Sequence, residues 1–86
     1  MALVNKLYKR RGVKMDSKLF KTLRQLNQLT QLQAADRLKV SRALLALVET
    51  DKTPISRALE RKVNEEFGLE QIEHVKKTMD LLNRNL

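Results

Sequence analysis

Apolar residues along this chain recur at intervals of three and four, and they nowhere alternate with polar residues for long enough to make a strand. The pattern predicts an all-α chain. A first segment, Ala2 to Arg11, ends in three cations followed by Gly12, which suits a helix terminus; it reads equally as a flexible basic arm. Asp16 or Ser17 then caps a helix that carries Leu19, Phe20, Leu23 and Leu26 on one face. Thr30-Gln31-Leu32-Gln33 is a capping-box sequence and predicts a helix to Leu38. Lys39-Val40-Ser41 leaves room only for a tight turn, and Ser41 caps a helix running to about Thr50. After a loop at 51–53, Thr53 is the expected cap of a helix with Pro54 at its first position. That helix carries Ile55, Leu59, Val63 and Phe67 and stops at Gly68; a last one runs from about Glu70 to Asn85. The expected organisation is a basic extension (1–16), a compact five-helix helix-turn-helix domain whose main part spans 17–69, and a C-terminal helix (70–86) for packing or dimerisation.

The stretch from Gln31 to Lys52 is the most informative. Two short helices joined by three residues must cross steeply, with their apolar residues meeting at the crossing. Ala34, Ala35, Leu38, Val40, Leu45 and Val48 fill the positions this requires. Ala35 is small where the second helix passes closest, Val40 plugs the turn, and Leu45 and Val48 anchor the second helix.

Charge gives this unit a partner class. The net charge is +8. Residues 1–42 hold eleven Lys and Arg against Asp16 and Asp36, whereas residues 43–86 hold seven basic and eight acidic side chains. A basic half joined to a near-neutral half fits a polyanion at one end and a different contact at the other. With no Cys and a single His, the chain offers no disulfide framework, thiol nucleophile or usual zinc cluster. His74 stands alone among Glu70, Glu73 and Lys77, and Glu65-Glu66 read as solvated carboxylates. We therefore expect no enzyme activity, cofactor or metal. The longest apolar run, Ala43 to Val48, is six residues, against the ~20 of a membrane helix. A soluble, cytoplasmic protein is the expectation.

The residues Leu29-Thr30-Gln31, Ala35, Leu38, Val40-Ser41-Arg42, Val48-Glu49, Lys52 and Pro54 together resemble the Cro/phage-repressor family of helix-turn-helix domains, the xenobiotic-response-element type. The resemblance covers roughly residues 18–69. It implies a double-stranded DNA-binding transcriptional regulator, a repressor of phage or mobile-element type. It also assigns roles. Gln31 would touch a phosphate or steady a base-reading side chain. Ser41, Arg42 and Ala43 would open the recognition helix in the major groove, with Arg42 the direct reader of guanine. Ala43, Ala46 and Leu47 would lie over base edges and meet thymine methyls. Lys39, Lys52 and Arg37 would hold phosphates.

The chain departs from that pattern at two places. Lys39 stands where the turn commonly has Gly, so a positive φ is expected on a residue with a side chain. The outward positions of the recognition helix, Arg42, Ala43, Leu44, Ala46 and Leu47, hold only one side chain able to hydrogen-bond a base, Arg42. Specificity then rests on methyl contacts and DNA shape. Alternatively, this face is turned toward a protein, as in an antitoxin-like partner of a toxin or a modulator of a second regulator.

Two segments flank the unit. Lys9, Arg10 and Arg11 are candidate minor-groove or phosphate contacts, or an ordinary charged helix end. Ile72, Val75, Met79, Leu82 and Leu86 recur with a seven-residue period, which makes a seam for a homodimer or for this domain's own core.

Overall fold

The computed structural model describes residues 15–84, with Arg84 described by its backbone alone. These residues form five α-helices and no strand: α1 (Ser17–Leu26), α2 (Gln31–Leu38), α3 (Arg42–Glu49), α4 (Arg57–Phe67) and α5 (Leu69–Arg84). The all-α, five-helix architecture expected from periodicity is what the described residues adopt. The readings of 2–11 as helix or arm, of Lys9, Arg10 and Arg11 as contacts, and of Leu86 lie outside the described residues.

Contacts between helices close into a ring. α1 packs on α3 and α5, α2 on α3 and α4, and α4 on α5. Inside it lie Leu19, Phe20 and Leu23 of α1, Ala34, Ala35 and Leu38 of α2, and Leu45 and Val48 of α3. Leu59 and Val63 of α4 and Ile72 and Val75 of α5 complete this one core. All six positions required by the crossing of α2 and α3 point inward: five are buried, and Val40 packs half-buried against them. Met15 also belongs to the core at 6 % exposure, and its N–H faces Glu60 Oε2 of α4 at 3.4 Å. Met15, assigned to the extension, thus packs into this core.

Each of the first four helices begins on a side-chain cap. Asp16 Oδ1 accepts from Leu19 N–H at 2.8 Å, and Ser41 Oγ accepts from Leu44 N–H at 3.1 Å. At Thr30 the full box forms: its hydroxyl accepts from Gln33 N–H at 3.1 Å while Gln33 Oε1 accepts from Thr30 N–H at 2.9 Å. The fourth cap corrects an expectation. It is Ser56, not Thr53, whose hydroxyl accepts from Leu59 N–H at 3.1 Å, so Pro54 precedes the helix. The reason is visible in the backbone. The amides of Lys52 and Thr53 both turn back to the Leu47 carbonyl, at 2.9 and 3.3 Å, and close off α3. The chain then stays non-helical through Ser56, which seats Ile55 against the core just before the cap.

The ends of α1, α2 and α3 share one device. Gln28, Lys39 and Asp51 adopt left-handed φ values of 57°, 58° and 62°. The amide after each reaches back over a full turn: Leu29 to Arg24 at 3.1 Å, Val40 to Ala35 at 3.0 Å, Lys52 to Leu47 at 2.9 Å. These are Schellman terminations, which favour Gly at the left-handed residue. No Gly occurs between Gly12 and Gly68, so each turn carries a side chain in a conformation that costs about 1 kcal/mol. Gly68 alone relieves its corner: with φ 86° and ψ 140° it joins α4 to α5 without any intervening residue.

Two stability outcomes follow from these dihedrals. Gln28→Gly and Lys39→Gly should each raise the unfolding free energy by up to about 1 kcal/mol, less the entropy Gly adds to the unfolded chain. Gly68→Ala, which meets no steric neighbour but keeps the positive φ, should lower it by about 1 kcal/mol. Urea titrations followed by helical circular dichroism measure all three.

Candidate nucleic-acid interface

The candidate surface is α3 with the turns at its two ends. α3 has eight residues, too few to hold a helix in water alone. Leu45 and Val48 seat it in the core from one side. Glu49, in its last turn, fixes it from another. The Glu49 side chain is 2 % exposed, and Arg24 of α1, at 13 %, closes on it with two parallel bonds. Arg24 Nε donates to Oε2 at 2.6 Å and Nη2 to Oε1 at 2.9 Å. The third donor, Nη1, goes to the Leu29 carbonyl at 2.8 Å, so one guanidinium ties α3 to the α1–α2 turn. Its hydrogen bond to Glu49 raises the pKa of Arg24 above an already very high ordinary value; burial pulls down, and the charge of Glu49 adds a further upward push. A cation whose folded pKa is raised contributes its full stability below the unfolded value and loses it only as pH climbs past the folded one. From the Arg24 side, the pair is thus fully charged across the neutral range.

Gln31 joins the same cluster. Its Nε2 donates to Glu49 Oε1 at 3.2 Å, which holds the first side chain of α2 against the last turn of α3. The second hydrogen on Nε2 remains for a phosphate or a neighbouring side chain. The periodicity of the sequence holds no trace of Arg24 and Glu49 as partners. They stand 25 positions apart, each at a position that reads as an ordinary polar edge of its own helix.

With α3 so anchored, Ser41, Arg42, Ala43 and Leu47 are exposed, the last at 43 %, and Ala46 is half-exposed. Leu44, which the sequence placed on the outward face, instead turns half-buried against the core. Lys39 and Lys52 are exposed on the Schellman turns before and after the helix. Lys62 of α4 adds a cation that sequence reading had not singled out: its Nζ donates to the Lys39 carbonyl at 3.4 Å. Arg37 points to a different neighbour. Its Nη1 stands 3.5 Å from Glu66 Oε2 of α4, an exposed pair, so its charge is shared with a protein carboxylate. A shallow pocket lined by Arg37, Leu38, Lys39, Lys62, Glu65 and Glu66 separates α2 from α4.

The C-terminal seam divides. Ile72 and Val75 are buried in this domain's own core and present no surface for a partner, which corrects their assignment to dimerisation; Met79 packs half-buried against the same core. A helix that closes the ring between α1 and α4 must turn its apolar stripe inward over its first turns. Apart from Leu69 at its first position, α5 shows free apolar surface beyond Met79, at Leu81 (56 % exposed) and Leu82 (60 %). Among the described residues no helix is long and apolar enough to cross a membrane.

Compared with protein-family models, with curated proteins and with solved structures, the chain matches none.

The ion pair gives a test of this architecture. Glu49→Ala should lower stability by about 3 kcal/mol, because it strands a desolvated guanidinium. The double change Arg24→Met with Glu49→Leu should be milder than either single change. A double-mutant cycle by urea unfolding reads the coupling directly.

Proposed function

We propose that the chain is a sequence-specific double-stranded DNA-binding regulator of transcription, a repressor that lays α3 in the major groove. The observation that carries this reading is the exposed α3 itself. It opens with Arg42, has Lys39 and Lys52 on the turns at its two ends, and is anchored by Glu49 on its inner side. A recognition helix needs the same three properties: an outward face, a side chain that reaches base edges, and cations that meet the flanking phosphates. Arg42 donates twice to guanine O6 and N7. Lys39, Lys52 and Lys62 meet phosphates, and Gln31 does so through its second amide hydrogen. On this reading the chain acts as Cro/phage-repressor domains do, in the cytoplasm. The basic N-terminal segment adds further phosphate contacts.

The protein acts as a homodimer, since two recognition helices reading half-sites one helical turn apart double both the phosphate contacts and the base contacts. Leu81 and Leu82 support such a contact, with Leu86 continuing the stripe in the sequence. The apolar character of Ala43 and Leu47 favours one rival reading, in which α3 docks on a protein such as a toxin or a second regulator.

Fluorescence anisotropy with random-sequence duplexes and the gene's own upstream region separates the two. Upstream DNA should bind well above random DNA and weaken steeply between ~50 and ~200 mM salt. Arg42→Ala should abolish the preference at a cost of about 1–3 kcal/mol. Lys39→Gly should weaken all duplexes alike and shallow the salt slope by about one ion, although it stabilises the fold. Equal, weak binding to both duplexes, indifferent to Arg42, would sink the DNA reading and turn α3 into a protein surface. Leu81→Glu with Leu82→Glu should convert a dimer to a monomer in sedimentation and cut upstream affinity while leaving helicity unchanged.

A further inference from the structure

We infer that Leu82 of α5 is covered by the chain's own N-terminal segment, residues 1–14, through Leu7 and the apolar residues around it, and that Leu81 is the side chain left for a second copy. Leu82 is 60 % exposed, and one exposed Leu needs no explanation by itself. Its register does. Ile72 and Val75 are buried and Met79 packs half-buried on the core. Leu82 continues their spacing, three residues beyond Met79 and seven, nearly two turns, beyond Val75. It therefore lies on the inward stripe of α5, past the point where the other helices cover that stripe. Leu81 stands nine residues, two and a half turns, from Ile72 and so on the opposite side.

The packing brings the start of the described chain to the same level. α1 packs on α5, and the two meet where Gln71 Nε2, in the first turn of α5, donates to Oδ1 of Asn27, just past the end of α1, at 3.4 Å. Helices that touch there share a longer contact only by running antiparallel. α4 gives the same sense: the Met15 N–H donates to Glu60 Oε2 near its start at 3.4 Å, and Gly68 turns α5 back to pack on it. Met15 lies twelve residues before Asn27, and Leu82 eleven residues after Gln71. At a rise of ~1.5 Å per residue, the chain enters the domain roughly level with Leu82. Met15, 6 % exposed, anchors that entry point.

The fourteen residues before Met15 carry Leu3, Val4, Leu7 and Tyr8. Leu7 precedes Met15 by eight residues, a reach of ~12 Å wound as a helix and ~26 Å drawn out, so it spans to Leu82 either way. A second copy has to compete for this stripe with a tethered segment whose effective concentration is on the order of mM. The chain's own residues fill it first.

The single tyrosine, Tyr8, supplies the test, since the chain has no Trp and its emission reports this segment alone. Acrylamide quenching of Tyr8 in the full chain should be several-fold weaker than that of free N-acetyltyrosinamide. Leu82→Glu should remove the protection while helical circular dichroism stays unchanged, and Leu7→Glu, which lies outside the core, should do the same. Leu81→Glu should leave Tyr8 protected and act on sedimentation alone. Protection that holds on dilution from micromolar to submicromolar protein assigns the contact to one chain. Protection that vanishes on dilution means a second copy supplies the cover, and the inference is overturned. It is equally overturned if Tyr8 of the unaltered chain quenches like the free amide, if protection survives either Leu82→Glu or Leu7→Glu, or if Leu81→Glu removes it as fully as Leu82→Glu. None of these outcomes depends on DNA binding.

Discussion

The bidentate pair between Arg24 and Glu49 sets the geometry on which the candidate interface depends. An eight-residue helix has too few internal bonds to fix itself, and two apolar anchors, Leu45 and Val48, leave it free to rock about the line between them. A carboxylate 2 % exposed removes that freedom. It must keep its partners or bear the cost of an unpaired buried charge, so only the rotation that presents Glu49 to Arg24 is populated. Because the same guanidinium also reaches the Leu29 carbonyl at 2.8 Å, α3 is referred to the start of α2 as well as to α1. Set against a well-packed apolar replacement, such a pair contributes little net stability; its contribution is direction. It decides which residues of α3 face out.

The turns show a complementary economy. Three helices end on Gln28, Lys39 and Asp51 in left-handed geometry, where Gly would be unstrained. The strain is offset locally, because the residue after the first two, Leu29 and Val40, enters the core as it completes the Schellman bond. The strain at Lys39 also has a functional gain under the proposed reading: an exposed cation occupies the turn that leads into the recognition helix. Stability is exchanged for charge at one residue, and the chain tolerates it because the turn is held from both sides.

Much of the fold is legible in the sequence because its signals are local. The caps at Asp16, Thr30 and Ser41 and the stop at Gly68 act within four residues, and the periodicity of α1 to α3 reports most of their buried faces; Leu26, which shares the spacing of Leu19 and Leu23, is instead exposed at the end of α1. Local rules fail where two of them compete. Thr53-Pro54 and Ser56 are both acceptable starts for α4, and the choice of Ser56 is made by Thr53 closing the end of α3 and by Ile55 seeking the core. The seam on α5 is a periodic signal with two physical solutions, an inner core or an outer partner. Ile72 and Val75 show that its first turns take the inner one. Of the candidate site, Arg42, Ala43, Leu47, Lys39 and Lys52 were named by the resemblance of the motif, and the structure leaves all five exposed. The pairs Arg24–Glu49 and Lys62–Lys39 were not, since side chains 25 and 23 residues apart leave no mark in any window.

These threads meet in the chemistry of α3. The one acidic residue of that helix is committed inward by a structural demand, so the outward side chains of α3 itself are Arg42, Ala43, Ala46 and Leu47, none of them acidic. Had Glu49 stood half a turn away, the helix would present an acceptor to the groove and lose its tie to α1. An anchoring requirement on one side of a short helix therefore limits what the other side can recognise. With only two turns available, every residue lies on one side or the other, and no position is free to serve both.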